Sequence, residues 1–266
     1  MTPAPPTTEQ PIVALKGVTK HFASGTLALD GVDLAIASGE FVSLLGPSGC
    51  GKSTALRLIA GLGEPSTGAI SWSGTKPGAR RNGLDVGFVF QEPTLMPWST
   101  VAKNVALPLA LAGVAHDVAA KRVAEALEQV GLAQFRDAYP RELSGGMKMR
   151  VSIARALVTD PPLLLMDEPF AALDEITRFK LNNDLLTLWQ KLRRTVIFVT
   201  HSVFESVYLS QRIVVMTSRP GRVFGEIAID APYPRDERFR TSAEYAGFCR
   251  QVAETLGKAM ATGGVP

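Results

Sequence analysis

The stretch GPSGCGKST, Gly46 to Thr54, fits the spacing G-x-x-x-x-G-K-[ST] between an apolar run and a segment of helical periodicity. Glycines at 46, 49 and 51 let backbone N–H groups converge on phosphate oxygens. Lys52 then reaches the β- and γ-phosphates of a nucleoside triphosphate, and Ser53 offers its hydroxyl to Mg²⁺. Ser48, Cys50 and Thr54 complete the loop. The competing reading is a plain glycine-rich turn before a helix. Cys50 sits where a helix start would lower its thiol pKa, or it is a small filler residue.

LLLMDEP ends a second apolar run with adjacent carboxylates. Successive side chains on a strand point to opposite faces, so Asp167 and Glu168 need different tasks. Asp167 suits the Mg²⁺ shell, and Glu168 suits a general base on an attacking water. Gln91, in FQEPTLMPW, has an amide for the same Mg²⁺ and γ-phosphate; taken alone it reads as a surface glutamine. His201 closes TVIFVTH at the carboxyl edge of the expected sheet, where ligands collect; it is either a turn cap or a catalytic group. PRELSGGMKMRVSIARAL adds a second phosphate-holding geometry, Ser144, Gly145 and Gly146 at the start of a helix.

The elements that must position these groups are those of an α/β fold. EFVSLLG (Glu40 to Gly46) followed by STALRLIAGL reads as strand, turn, helix. DVGFVF (Asp85 to Phe90), PLLLMDE (Pro162 to Glu168) and TVIFVTH (Thr195 to His201) are apolar on both faces, which suits a parallel sheet covered by helices. DVAAKRVAEALEQVGL predicts a helix with Asp117 as N-cap and Gly131 as stop. A further helix, Asp174 to Leu192, is expected to lay Ile176, Phe179, Leu186 and Trp189 on the sheet. The expected organisation is a flexible lead (1–11), an α/β core (12–96 and 161–223), an inserted helical subdomain (97–160) and a tail (224–266). In the tail PYPRDERFR reads as extended, with a short helix around Cys249.

Bulk composition narrows the classes. A chain of 266 residues, 46% hydrophobic and 20% charged, is ordinary globular protein with enough apolar mass for a core. Its 2 cysteines are too few for a disulfide framework and point to a reducing compartment. MTPAPPTTEQP lacks the basic start and apolar centre of a signal peptide. The run Val105 to Ala115 is broken by Pro108 and Gly113 and falls short of the ~20 residues that span a bilayer. A net charge of +3 suits nucleic acid, anionic lipid or a phosphorylated ligand, and equally an ordinary surface.

Taken together and in order, Gly46 to Thr54, Gln91, Leu143 to Gly146, Leu163 to Glu168, the AALD of Ala171 to Asp174, and His201 resemble the nucleotide-binding subunit of an ATP-binding-cassette transporter. The resemblance covers roughly 12–223 and implies a P-loop (RecA-like) core with a mixed sheet and an inserted α-helical subdomain. It implies ATP and Mg²⁺ as cofactors, Phe22 stacked on adenine, Glu168 as general base, His201 on the γ-phosphate and Asp174 communicating between subunits. It also implies that Ser144, Gly145 and Gly146 complete the ATP site of an opposing copy in a head-to-tail homodimer. FVFQEPTLMPWSTVAKNVALPL, LDEITR and THSVFESVYLSQRIVVMTSRPGRV are similar to importer ATPases serving nitrate, sulfonates, taurine and related solutes. That branch implies integral membrane permease subunits, a separate solute-binding protein, no nucleic acid, and a peripheral place on the cytoplasmic face of the inner membrane. PTLMPW is then expected to seat a short permease helix. Met149, Ser202 and Ala171 depart from the family's commoner Gln, Asp and Ser. The alternatives are a soluble cassette ATPase acting on nucleic acid or ribosomes, and an exporter motor.

Overall fold

The computed structural model describes residues 11–73 and 86–262. The predicted flexible lead, apart from residue 11, lies outside them. In chain order, β1 (Val13–His21) and β2 (Leu27–Ile36) pair antiparallel, then β3 (Phe41–Leu45) runs into α1 (Lys52–Ile59). β4 (Thr67–Trp72) returns beside β1, and β5 (Val86–Val89) opens a second sheet. Three helices follow, α2 (Val101–Leu111), α3 (His116–Gln129) and α4 (Gly145–Leu157). The chain continues through β6 (Leu163–Asp167), α5 (Glu175–Leu192), β7 (Thr195–Thr200), α6 (Val203–Leu209), β8 (Arg212–Met216) and β9 (Val223–Ala228). α7 (Glu237–Arg240) and α8 (Ala243–Thr262) close the described chain.

The small sheet has the order β2-β1-β4 and is antiparallel. The large sheet has the order β5-β6-β7-β3-β8-β9, parallel except for β9, so the sheet is mixed as expected. Period-two alternation splits its side chains between two cores. Val42, Leu44, Leu163, Leu165, Ile197 and Val199 pack with Leu56 and Ile59 of α1 and with the small sheet. Phe41, Leu45, Leu164, Met166, Val196 and Phe198 pack with α2 to α5 and the tail. Both faces being apolar, β3, β6 and β7 read as continuous hydrophobic runs. Because β5, β6, β7 and β3 are parallel, the loops after all four leave from one edge.

Several sequence expectations change. Asp117 lies in the first turn of α3, whose N-cap is Ala115; Gly131, at φ 69°, does follow its end. In α5 the buried set is Leu181, Asn182, Leu185, Leu186 and Trp189, while Ile176 is 82% and Phe179 42% exposed. The first two turns of α5 project past the sheet, so only its later half packs there. PYPRDERFR is not wholly extended, since it contains α7, and the helix carrying Cys249 runs for 20 residues.

The tail is fastened by one buried cation. The Arg235 guanidinium donates to the carbonyls of Val207, Tyr208, Ser210, Ile229 and Ala231 at 2.8–3.3 Å. Its plane lies 4.2 Å from the Tyr233 ring centroid, a cation–π contact. The carbonyls at the end of α6, left open by the helix terminus, thereby find a donor supplied by the tail. Arg235→Met keeps the apolar stem but orphans these acceptors. The expected loss is on the order of 3 kcal/mol of unfolding free energy, read from the urea midpoint at unchanged slope. A midpoint equal to that of the parent would show that the carbonyls do not depend on Arg235.

Candidate nucleotide-hydrolysis site

The loops at that edge line a cleft of about 570 Å³ whose walls include Phe22, Lys52, Ser53, Gln91, Glu168 and Arg219. Ser48, Gly49, Gly51 and Thr54 also face it. The loop after β3 turns into α1 through Gly51 at φ 94°, where a Cβ would lie 2.6 Å from the Ala28 carbonyl. A side chain there is excluded both by backbone conformation and by space. The Lys52 side chain is only 3% exposed, and its Nζ donates to the Gly46 and Pro47 carbonyls at 2.8 and 3.0 Å. Glu168 Oε1 stands 3.7 Å from the same Nζ. A buried ammonium is tolerated because these partners face it.

Cys50 does not line the cleft. It is buried, and burial pushes its thiol pKa up, the neighbouring Lys52 opposing this. Its burial and raised pKa favour the filler reading over that of a reactive thiolate.

Asp167 and Glu168 do not diverge as neighbours on a strand would. β6 ends at Asp167, and Glu168 has φ 45°, a left-handed turn that breaks the alternation. Both carboxylates therefore meet the start of α1, Asp167 accepting from Ser53 Oγ at 2.7 Å and Glu168 facing Lys52. Glu168 Oε2 is also 3.0 Å from His201 Nδ1. Burial raises the Asp167 pKa, the Ser53 hydrogen bond opposes this, and the Glu168 charge adds to the rise. The Asp167 carboxylate with the Ser53 hydroxyl, and the Gln91 amide on the wall of the cleft that Ser53 also lines, offer hard oxygen donors of the kind that suit Mg²⁺.

The remaining sequence candidates lie elsewhere or play a local part. Phe22 is 46% exposed, with its ring on the cleft wall. Ser144 is the N-cap of α4, its Oγ accepting from the Met147 N–H at 3.3 Å, and Gly145 is exposed. Gly146 packs on α5, where a Cβ would come 2.8 Å from Thr177 Cγ2. None of these three lines the cleft. Asp174 caps α5, accepting from the Thr177 N–H at 2.9 Å, and that bond lowers its pKa.

Sequence reasoning assigned no role to Arg219. Its guanidinium presses on the phosphate loop, since a Cβ on Gly49 would lie 2.8 Å from Nη2. The turn carrying it is tied down by Gly221, whose N–H donates to the Ala28 carbonyl and whose carbonyl accepts from the Asp30 N–H, both at 3.0 Å. The signal was the run SRPGRV, a cation beside a Pro-Gly turn after a core strand.

The model of the ABC transporter family matches residues 29–171. An uncharacterized ABC transporter ATP-binding protein of Methanocaldococcus jannaschii is 49% identical over 229 residues, 86% of this chain and 84% of that one. An aliphatic sulfonates import ATP-binding protein, SsuB, of Bacillus licheniformis is 46% identical over 236 residues, 88% of this chain and 89% of that one. Among solved structures, an ATP-binding cassette in a dimeric post-hydrolysis state with ADP and Pi aligns with TM-score 0.71 and 35% identity, covering 83% of this chain and all of that one. A component of the cbiONQ ABC transporter complex of Clostridium perfringens aligns with TM-score 0.76 and 29% identity, covering 94% of this chain and 97% of that one.

The chain therefore belongs to the ABC transporter family. Within it, this is an ATP-binding subunit with the fold of the cassette ATPases, an ATP-hydrolysing motor. No helix among the described residues is long and apolar enough to cross a membrane.

Arg219→Ala should raise the KM for ATP about tenfold while kcat stays within about twofold. That is the size of one charge-assisted contact of about 1.4 kcal/mol made equally in ground and transition states. Equal KM values for parent and variant would exclude Arg219 from nucleotide binding.

Proposed function

We propose that this chain drives uptake of a small solute, working as an ATP-closed homodimer on the cytoplasmic face of the inner membrane beneath separate permease subunits. The observation that carries the dimer is the split of phosphate-binding groups. Lys52 and Glu168 meet in one cleft, whereas Ser144, Gly145 and Gly146 at the α4 N-terminus do not line it. Two copies arranged head to tail bring one chain's α4 terminus, a site of positive potential, onto the other's bound triphosphate.

In this reading Phe22 stacks on the adenine, and the N–H groups of the Gly46–Thr54 loop with Lys52 hold the phosphates. Ser53, Asp167 and Gln91 would hold Mg²⁺, which supplies charge neutralisation on the β- and γ-oxygens when bound. Glu168 takes the proton of the attacking water at its carboxylate. His201, with Nδ1 on Glu168 Oε2, fixes that carboxylate and would contact the γ-phosphate. Loss of that phosphate removes the contacts that favour the closed dimer, and the pair reopens. Asp174, at the exposed start of α5, then reports from one copy to the other.

Glu168→Gln should keep ATP binding and lose roughly 10²–10⁴ in turnover, about 3–5 kcal/mol of barrier. With ATP it should run as a dimer on size exclusion, and adding Ser144→Arg should return it to a monomer. Near-parent turnover defeats the general-base assignment, and an ATP-dependent dimer that survives Ser144→Arg defeats the shared site.

The importer reading rests on the SsuB relative and on a surface suited to a permease. Trp98 is 75% exposed in PTLMPW. Thr94 of the same segment lines a groove of about 300 Å³ together with Phe88, Phe90, Leu107, Leu111 and Arg155. Among cargo classes, small sulfonates fit the named relatives, with a solute-binding protein selecting the cargo outside this chain. Affinity isolation of the chain from membranes should bring down an integral membrane permease of its own operon, and Trp98→Asp should release it while ATPase activity persists. Recovery with ribosomes and no membrane protein would overturn the transport reading.

A further inference from the structure

Glu205 is a buried carboxylate that the hydrolysis scheme does not use. It lies on α6, yet α6 already has its N-cap in Ser202, whose Oγ accepts from the Glu205 N–H at 3.3 Å. The carboxylate does something else with each oxygen. Oε2 accepts from Thr200 Oγ1 at 2.6 Å, and the same Oγ1 accepts from the Ser202 N–H at 3.0 Å. Thr200 and Ser202 are the two residues flanking His201, so this one carboxylate holds both ends of the turn that aims the imidazole at Glu168.

Oε1 looks the other way, to Arg178 Nε at 3.8 Å, an ion pair too long to be a hydrogen bond. Neither Oε1 nor Nε has a hydrogen-bond partner. Arg178 Nη2 meanwhile donates to the Leu173 carbonyl at 2.9 Å, immediately before Asp174. A cavity of about 420 Å³ adjoins the pair, walled by Phe179, Phe204 and Tyr208, and leaves the guanidinium room to move. A buried ion pair with one orphan atom on each side gains when it closes, and a shift of the Leu173–Asp174 turn is what can close it.

We propose that Arg178 and Glu205 form a relay from the Leu173–Asp174 turn to His201, with Glu205 a positioning residue acting through Thr200 Oγ1. This rests on the reading above, in which Asp174 faces the other copy and His201 serves hydrolysis. When the partner's surface moves the turn, Arg178 follows its carbonyl anchor, the 3.8 Å gap shortens, and Glu205 draws the Thr200–Ser202 backbone that carries His201. Hydrolysis is thus tied to dimer closure through Leu173, Asp174, Arg178, Glu205, Thr200, Ser202 and His201. Asn182 also belongs to this buried set, its Oδ1 having no hydrogen-bond partner.

The test is a double-mutant cycle on the full chain with MgATP. Thr200→Val is nearly isosteric and removes the hydroxyl; Glu205→Gln keeps an acceptor for Thr200 but ends the attraction to Arg178. Each should lower kcat about tenfold, the scale of a misplaced catalytic group, with the ATP KM within about twofold; Thr200→Val, which orphans the Glu205 carboxylate and the Ser202 N–H, should also lower the melting midpoint, so kcat is read well below it. In a His201→Ala background neither should lower kcat further, because the relay then has nothing to position. Losses that multiply with that of His201→Ala overturn the relay and leave the role of His201 standing, as does a shift confined to KM. A His201→Ala chain with parental kcat removes both together. Should Glu205→Gln fold poorly, Arg178→Lys gives the same cycle from the other end, with the same kcat loss and the same disappearance in the His201→Ala background.

Discussion

The structure depends on burying one lysine side chain at the wall of its cleft. Lys52 is nearly fully buried at the first turn of α1, and the cost of desolvating its ammonium is offset only by oxygens brought to it from two strands. Gly46 and Pro47 offer carbonyls from the end of β3, and Glu168 offers a carboxylate from the end of β6. That requires two strands separated by β7 in the sheet to end at the same edge, which parallel pairing provides. It also requires Glu168 to abandon extended geometry at φ 45°, a strained conformation of the order of 1 kcal/mol for a non-glycine residue. The strain and the buried charge are held in place by the same packed core.

That core explains which parts of the fold were legible in the sequence. β3, β6 and β7 are buried on both faces, and β5 on one with the other half-buried, so each appears as a short apolar run. β1 and β2 were not legible because their pairing shifts register between Leu15, Val18, Lys20 and His21, which disrupts simple alternation. In α5 apolar residues mark two different neighbours. Leu186 and Trp189 pack in the core, while Phe179 lies beneath the Arg240 guanidinium, 4.7 Å from ring centroid to cation, so a single hydrophobic face was the wrong inference. The tail was opaque for a related reason, since its docking rests on Arg235, a polar residue whose burial no periodicity announces.

The residues of the site show the same division. Lys52, Ser53, Asp167 and Glu168 were readable because their motif fixes both type and spacing, and the cleft brings them together. What the sequence obscured was direction. Alternation along a strand predicted divergent carboxylates, and the turn at Glu168 made them convergent. Arg219 was hidden because its proximity to Gly49 arises from the β8–β9 turn, which is 170 residues further along the chain and carries no periodic signal. Glu205 was hidden inside a short helix where a carboxylate in the first turn reads as ordinary dipole compensation.

Placing the α4 N-terminus apart from the cleft has a thermodynamic consequence. If Ser144, Gly145 and Gly146 faced their own Lys52, a single chain could satisfy a triphosphate completely, and ATP would have no reason to join two chains. In the proposed dimer this division would make the free energy of phosphate binding depend on a second copy, so that the ligand's differential affinity for the closed pair would be the driving force. The same division demands that hydrolysis wait for closure, because early hydrolysis would dissipate that difference before the permease responds. The proposed relay from the exposed turn at Asp174 through Arg178 and Glu205 to His201 would supply such a condition. Its slack, an unclosed 3.8 Å pair beside a cavity, is what an isolated chain holding a latent catalytic group should contain.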